Sequence, residues 1–251
     1  MISRYPGLKG IVFFLGLTLF PATLLSQSAP DITRANLLYN QNKFKEAAEI
    51  YEEEIKKGRV NGHLHYNLGN AYFRNENLAG AVLNYAKAQS LLPRNEDIET
   101  NLQYAIRQTE DQLDGRTPHA LESILFWTAD LNLKEHGVAL LWINLAFWIS
   151  MAVRLHSKTS ATRSARNTLL AFLVLASLST GFKWQQVSHP STGVILPAQI
   201  NVHSGWNATT TSLFQLHQGT LVTLSQDKDR WYEIVLPDGK KGWVSKSDIA
   251  R

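Results

Sequence analysis

Set against itself at an offset of 34 residues, the first half of the chain brings Asn36 onto Asn70, Ala47 onto Ala81, Tyr51 onto Tyr85, Asn67 onto Asn101 and Leu68 onto Leu102. Self-similarity at a fixed period of this length marks units that cannot bury their apolar faces alone and stack to do so. In the best-formed unit, "LHYNLGNAYFRNENLAGAVLNYAKAQSLLP", small residues stand at Gly69, Ala81 and Ala88, with Tyr72 and Tyr85 beside them. Two antiparallel helices approach closely only where small side chains occupy the crossing, and the aromatic rings fill the adjacent volume. Pro93 then stops the second helix. The preceding unit, 31–57, keeps Ala47 and Tyr51 but has Ala35 in place of the glycine and Arg59 in place of the proline. A third unit begins at Asn95 or Glu96, has no second helix of the repeat type, and reads as a cap.

The spacing L-G-x-x-Y, A-x-x-x-Y-x-x-A, P resembles the tetratricopeptide repeat, with His65 where that family usually has tryptophan. The resemblance implies a concave face, lined by the first helices of successive units, that binds peptides or partner proteins. The side chains expected on that face are Asn36, Tyr66, Asn67, Asn70, Arg74, Asn101 and Tyr104. Amides offer both donor and acceptor to an extended backbone, and Arg74 or Arg107 suits a carboxylate. The same asparagines are equally suited to bridging adjacent units. Ile32 and Thr100 stand where the family's carboxylate-clamp variant has lysines, so that mode is not expected.

Two later stretches have a different composition. "GVALLWINLAFWISMAVRL", 137–155, has Asn144 and Ser150 as its polar members before Arg154, and its 19 residues cover close to the ~30 Å of a hydrocarbon core. "NTLLAFLVLASLSTGFKW", within 167–186, is its partner in a transmembrane hairpin. The loop between them, 156–166, together with Arg154 carries basic residues and no acidic one, which places it in the cytoplasm by the positive-inside rule. At the N-terminus, Arg4 and Lys9, the apolar run "GIVFFLGLTLF" and the small residues of "TLLSQSA" read as an export signal over 1–28, with an uncleaved anchor as the alternative. Both flanking parts then lie on the outer side. Segment 117–136, with Leu121, Ile124, Leu125 and Trp127, reads either as an amphipathic linker helix at the membrane surface or as an ordinary packed helix.

From 187 to 251 short β-branched runs alternate with turn residues, giving about five strands and a hairpin turn at "PDGKKG". The order A-x-I-x-V-H-S-G, L-x-x-G-T-x-V and W-Y-x-I-x-L-x-D-G-x-x-G-W-V resembles the bacterial Src-homology-3 domain. Its expected core is Val194, Val202, Leu216, Val222, Ile234 and Val244. Trp206, Trp231, Tyr232 and Trp243 are its candidate ligand-binding residues, with closure of the barrel as the alternative role, above all for Trp243. By analogy with extracytoplasmic relatives, peptidoglycan is a candidate ligand.

Composition narrows the function. The net charge of +4 does not sit on a folded basic face: 27–116 carries 11 basic and 13 acidic residues, so nucleic acid is not an expected partner. There is no cysteine, and no H-E-x-x-H, G-x-S-x-G or phosphate-cradling glycine loop, so the chain reads as a non-enzyme without catalytic residues, metal or cofactor. Glu52, Glu53 and Glu54 read as a solvated face with Lys56 and Lys57. The expected fold is therefore multi-domain: an all-α repeat array with its capping helix over 29–116, a two-helix membrane hairpin, and a small all-β barrel. This order of parts resembles the BatE-type proteins of the Bacteroides aerotolerance group. The resemblance implies an inner-membrane scaffold with both modules in the periplasm, acting with von Willebrand type A Bat proteins and a MoxR-type ATPase in oxygen or envelope-stress tolerance.

Overall fold

The computed structural model describes residues 30–59, 61–113, 127–188 and 191–251. The export signal expected over 1–28, and Leu121, Ile124 and Leu125 of the linker, lie outside these residues. Five helices open the described chain: α1 Pro30–Asn40, α2 Phe44–Lys56, α3 Gly62–Arg74, α4 Leu78–Leu91 and α5 Glu96–Arg107. They pack as two antiparallel pairs and a half unit, as the period demands. Their ends repeat too. Asn61 and Asn95, 34 positions apart, each accept a backbone N–H bond three residues on and cap α3 and α5. Asn42 and Glu76, also 34 apart, each turn the chain between paired helices in the left-handed region, at φ 62° and 61°.

Close approach at the helix crossings is real. A Cβ built on Gly69 would lie 2.7 Å from the Tyr85 ring, so α3 and α4 meet at a distance only glycine allows. Ala35, at the equivalent place in the first unit, is fully buried with Ala47, Tyr51, Leu64 and Leu68. His65, in place of the usual tryptophan, is buried and its Nδ1 lies 2.9 Å from Asn84 Oδ1. Burial holds its pKa below the ordinary imidazole value, against the opposing effect of the Asn84 hydrogen bond.

The expected solvated glutamate face is corrected at one position. Glu54 is buried, three residues on from buried Tyr51, and its carboxylate pairs with Lys57 at 2.8 Å and with Arg59. Arg59, which replaces the helix-stopping proline, is thus recruited to neutralise an inward carboxylate. Glu52 remains partly exposed and accepts the Tyr72 hydroxyl.

A single turn, α6 Trp127–Asp130, leads into the two long helices α7 Leu133–His156 and α8 Ser160–Ser188, which pack side by side. At about 1.5 Å per residue they run about 36 and 43 Å, and both are long and apolar enough to cross a membrane. Their large side chains point outward: Trp142 is 64% and Leu178 67% exposed, the reverse of a core helix in a water-soluble domain. Helix occupies most of the expected basic loop. The connection is 157–159, and Arg163 and Arg166 lie on the first turns of α8. Hydropathy locates the apolar stretch but not where a helix continues through polar residues beyond it.

The C-terminal part forms one antiparallel seven-stranded sheet closed on a small core: β1 Thr192–Ile195, β2 Gln199–His203, β3 Ser212–His217, β4 Leu221–Lys228, β5 Trp231–Val235, β6 Lys241–Ser245 and β7 Ile249–Ala250, in the order β3-β2-β6-β5-β4-β1-β7. The β5–β6 hairpin turns through Gly239 at φ 85°, as its D-G dipeptide predicts. All six expected core residues are buried. Five of them pack with Ile195, Leu236 and Ile249, while Val194 faces the other way.

Val194 and Leu221 pack against Ala81, Val82, Leu102, Ala105 and Ile106 of the repeat array. Among the described residues no second helix follows α5 to cover α4 and its apolar side, and the β1–β4 part of the sheet packs there. A solenoid end needs such a cover.

Candidate functional site

Two adjoining clefts run along the first-helix face of the array and share Tyr39 and Asn70. One, of about 340 Å³, is lined by Asn36, Tyr39, Asn40, Tyr51, Asn67 and Asn70. The other, of about 250 Å³, is lined by Tyr39, Asn70, Phe73, Arg74, Tyr85, Asn101 and Tyr104. Six of the seven sequence-predicted groove residues thus line one continuous groove. Tyr66, the seventh, stands behind the amides, its hydroxyl accepting from Asn101 Nδ2 at 3.0 Å and its ring 6.0 Å from that of Tyr85.

The repeated asparagines take part in a repeated hydrogen-bond pattern. Tyr51 donates its hydroxyl to Asn36 Oδ1 at 2.6 Å, and 34 residues later Tyr85 donates to Asn70 Oδ1 at 2.7 Å. Across the unit boundaries, Asn67 Nδ2 approaches Asn36 Oδ1 at 3.5 Å and Asn101 Nδ2 donates to Asn70 Oδ1 at 3.1 Å. The amides therefore bridge units and line the groove at once. Burial pushes the Tyr51 hydroxyl up to about 12 and Tyr85 in the same direction, so both stay protonated donors.

Tyr39, Asn40 and Phe73 belong to the groove but were not expected from sequence. Tyr39 comes from the diverged first unit, where register was hardest to read, and Phe73 sits between Tyr72, assigned to the helix crossing, and Arg74, assigned to the groove. The Phe73 ring meets Tyr104 edge-on at 5.6 Å, which lines one wall of the smaller cleft. Arg74 is held with its guanidinium 4.6 Å from the centre of the Phe44 ring.

On the barrel the four aromatic candidates separate. Tyr232 and Trp243 are buried, each 7% exposed, whereas Trp206 is 52% exposed and Trp231 lies between. Trp206 meets Trp243 edge-on at 5.8 Å and carries Lys228 Nζ 3.2 Å from its ring centre. His203 meets Trp231 edge-on at 5.7 Å.

A polar junction that no motif marked joins the two modules. Asp111, just after α5, accepts the His217 backbone N–H at 2.8 Å, lies 2.9 Å from His217 Nδ1, and accepts the Thr220 hydroxyl. Glu110 approaches His217 Nε2 at 3.3 Å. The Asp111 hydrogen bond raises the His217 pKa. Partial burial pushes Asp111 upward, but bonds from Thr220 and His217 outweigh it and its pKa is lowered overall. Between them Gly219, at φ 85°, lets the β3–β4 turn sit on Thr109, whose Cγ2 would be 2.8 Å from an added Cβ.

The array is held to the hairpin as well. Arg94, after α4, pairs with Glu135, which is itself fixed by a reciprocal capping box with Asn132 at the start of α7. Trp127 Nε1 donates to Ser179 Oγ at 2.8 Å and Lys183 Nζ to the Thr128 carbonyl at 2.7 Å, pinning α6 to the end of the hairpin away from its 157–159 connection.

Residues 32–96 match the family model of the tetratricopeptide repeat, and residues 198–250 that of the bacterial SH3 domain. The helical array is a tetratricopeptide-repeat region and the sheet is an SH3-like domain. No curated protein matches the chain. Both of these families are binding modules. Among the described residues, no group of three or more His, Cys, Asp or Glu is placed to hold a metal ion.

Proposed function

We propose that the chain is an inner-membrane adaptor: the α7–α8 hairpin anchors it, and the repeat groove and the barrel stand together in the periplasm to recruit protein partners. The observation that carries this reading is the continuous groove across all three units, on a body tied by Arg94 and Glu135 to helices of membrane-spanning length. A groove whose walls are amides and phenols suits an extended backbone, which needs both donors and acceptors. The order of parts supports a place in a Bat-type aerotolerance or envelope-stress assembly, with von Willebrand type A proteins and a MoxR-type ATPase system as partners. A photocrosslinking amino acid placed at Asn70 or Tyr104 in intact cells is expected to form a discrete protein adduct, and the same group at exposed Glu53 of α2 to form none. Equal labelling from all three positions would count against a groove-bound partner.

A second reading is favoured by the exposed Trp206 and its stacked lysine: the barrel contacts peptidoglycan peptide, and the protein reports on the cell wall. The 157–159 connection leaves no room for an output domain on the inner side, which favours the adaptor.

A further inference from the structure

We infer that the junction between the repeat array and the barrel is a proton-controlled latch, closed when the His217 imidazole is protonated and loosened when it is neutral. The latch stands whether or not the groove holds a partner. Both ring nitrogens of His217 face carboxylate oxygens of the array, Nδ1 at 2.9 Å from Asp111 Oδ1 and Nε2 at 3.3 Å from Glu110 Oε1. A neutral imidazole has one N–H and satisfies one of these, while its other nitrogen turns a lone pair on a carboxylate. The imidazolium donates to both. Among the described residues, Glu110 and Asp111 are the charged groups that act on the ring; Gln199, opposite on β2, and Thr220 are uncharged.

Asp111 also accepts the His217 backbone N–H and the Thr220 hydroxyl, so it keeps its place when the ring loses its proton. The Glu110 side chain is 71% exposed and turns into water. Leu113 packs against the barrel core, and Val194 and Leu221 against α4 and α5, so the proton grades the docking without undoing the fold. The Asp111 hydrogen bond, above all, raises the His217 pKa. Its contribution is therefore complete below the ordinary imidazole value of 6.5 and is lost as pH rises through the higher docked value. Asp111, lowered overall, contributes fully above the ordinary aspartate value of 3.8 and loses that contribution as pH falls further. Docking is thus tightest between those two values. His65 acts in the opposite sense: burial holds its pKa down, so acid weakens the α3–α4 contact while it closes the latch. Because α5 carries Asn101 and Tyr104, loosening reaches one end of the groove.

The test follows amide hydrogen exchange of the full chain in detergent micelles, corrected for the intrinsic dependence of exchange on pH. Opening of the α5 amides is expected to rise about threefold to tenfold between about pH 6 and about pH 8.5, while the amides of β5, inside the barrel, stay unchanged. His217→Asn, whose amide keeps a donor for Asp111 without a charge, is expected to show no such rise and to open at every pH as the unaltered chain does at high pH. Glu110→Gln, at an exposed position that leaves the fold intact, should shrink the rise. In that variant the His217 titration, followed by NMR of carbon-13-labelled histidine, should move toward the ordinary imidazole value. A flat α5 profile in the unaltered chain would overturn the inference. So would a rise that survives His217→Asn, or one that keeps its full size in Glu110→Gln.

Discussion

Val194→Asp is expected to loosen the repeat array, not only the barrel in which the residue lies. Val194 is fully buried, and its neighbours are Ala81, Val82, Leu102, Ala105 and Ile106 of α4 and α5. A carboxylate there has no partner and must either desolvate or break the contact between the modules, at a cost of about 3 kcal/mol or more. Opening the contact exposes the side of the half unit that a further repeat would otherwise cover. Amide hydrogen exchange should therefore accelerate throughout α5 and the adjoining part of α4. Ile234→Ala, which opens a cavity inside the barrel core, is the contrasting variant: it should destabilise the sheet while α5 stays protected. Unchanged exchange in α5 for Val194→Asp would show that the array closes without the barrel.

Gly69→Val is expected to cost about 2–3 kcal/mol, and to do so by moving a helix. Even a single Cβ at this position would stand 2.7 Å from two atoms of the Tyr85 ring, and Tyr85 is 2% exposed and held by its hydroxyl bond to Asn70. The branched side chain must push α4 from α3, withdrawing the Tyr85 hydroxyl from Asn70 and so disturbing the amide pattern of the groove. The measurable outcome is a lowered midpoint in thermal or urea unfolding followed by helical circular dichroism. Gly58→Ala serves as a comparison, because nothing lies within 4 Å of its Cβ position and any loss there comes from the left-handed backbone alone, at φ 83°. A Gly69→Val protein as stable as the unaltered chain would contradict the close crossing.

The two predictions draw on unequal parts of what the sequence reveals. The crossing at Gly69 was legible, because a period of 34 and a small residue at a fixed offset reflect local packing that recurs. The barrel core was legible for a similar reason: alternation along each strand fixes which valines and isoleucines point inward. The docking of barrel on array was not. Val194 looks like any other inward strand residue, and the Asp111 junction joins residues 106 and 109 positions apart with no motif to announce it. Glu54 was misjudged because charge alone argues for solvent, whereas helical phase places it on the side of Tyr51, and the compensating Arg59 lies beyond the helix. In the groove the repeated asparagines were found by their period. Tyr39 was not, since it sits in the unit whose sequence has drifted furthest.

The central claim is that two binding modules are held together on the outer side of one membrane by a helical hairpin. The chain contains no cysteine, so single cysteines can report sidedness directly. Ser90 on α4, Ser225 on β4 and Ser160 at the hairpin turn are all exposed and suitable. Treated in intact spheroplasts with a membrane-impermeant thiol reagent, Ser90→Cys and Ser225→Cys are expected to be labelled, and Ser160→Cys to be labelled only after the membrane is opened. Labelling at 160 with protection at 90 and 225, or at just one of the two outer positions, would contradict the account.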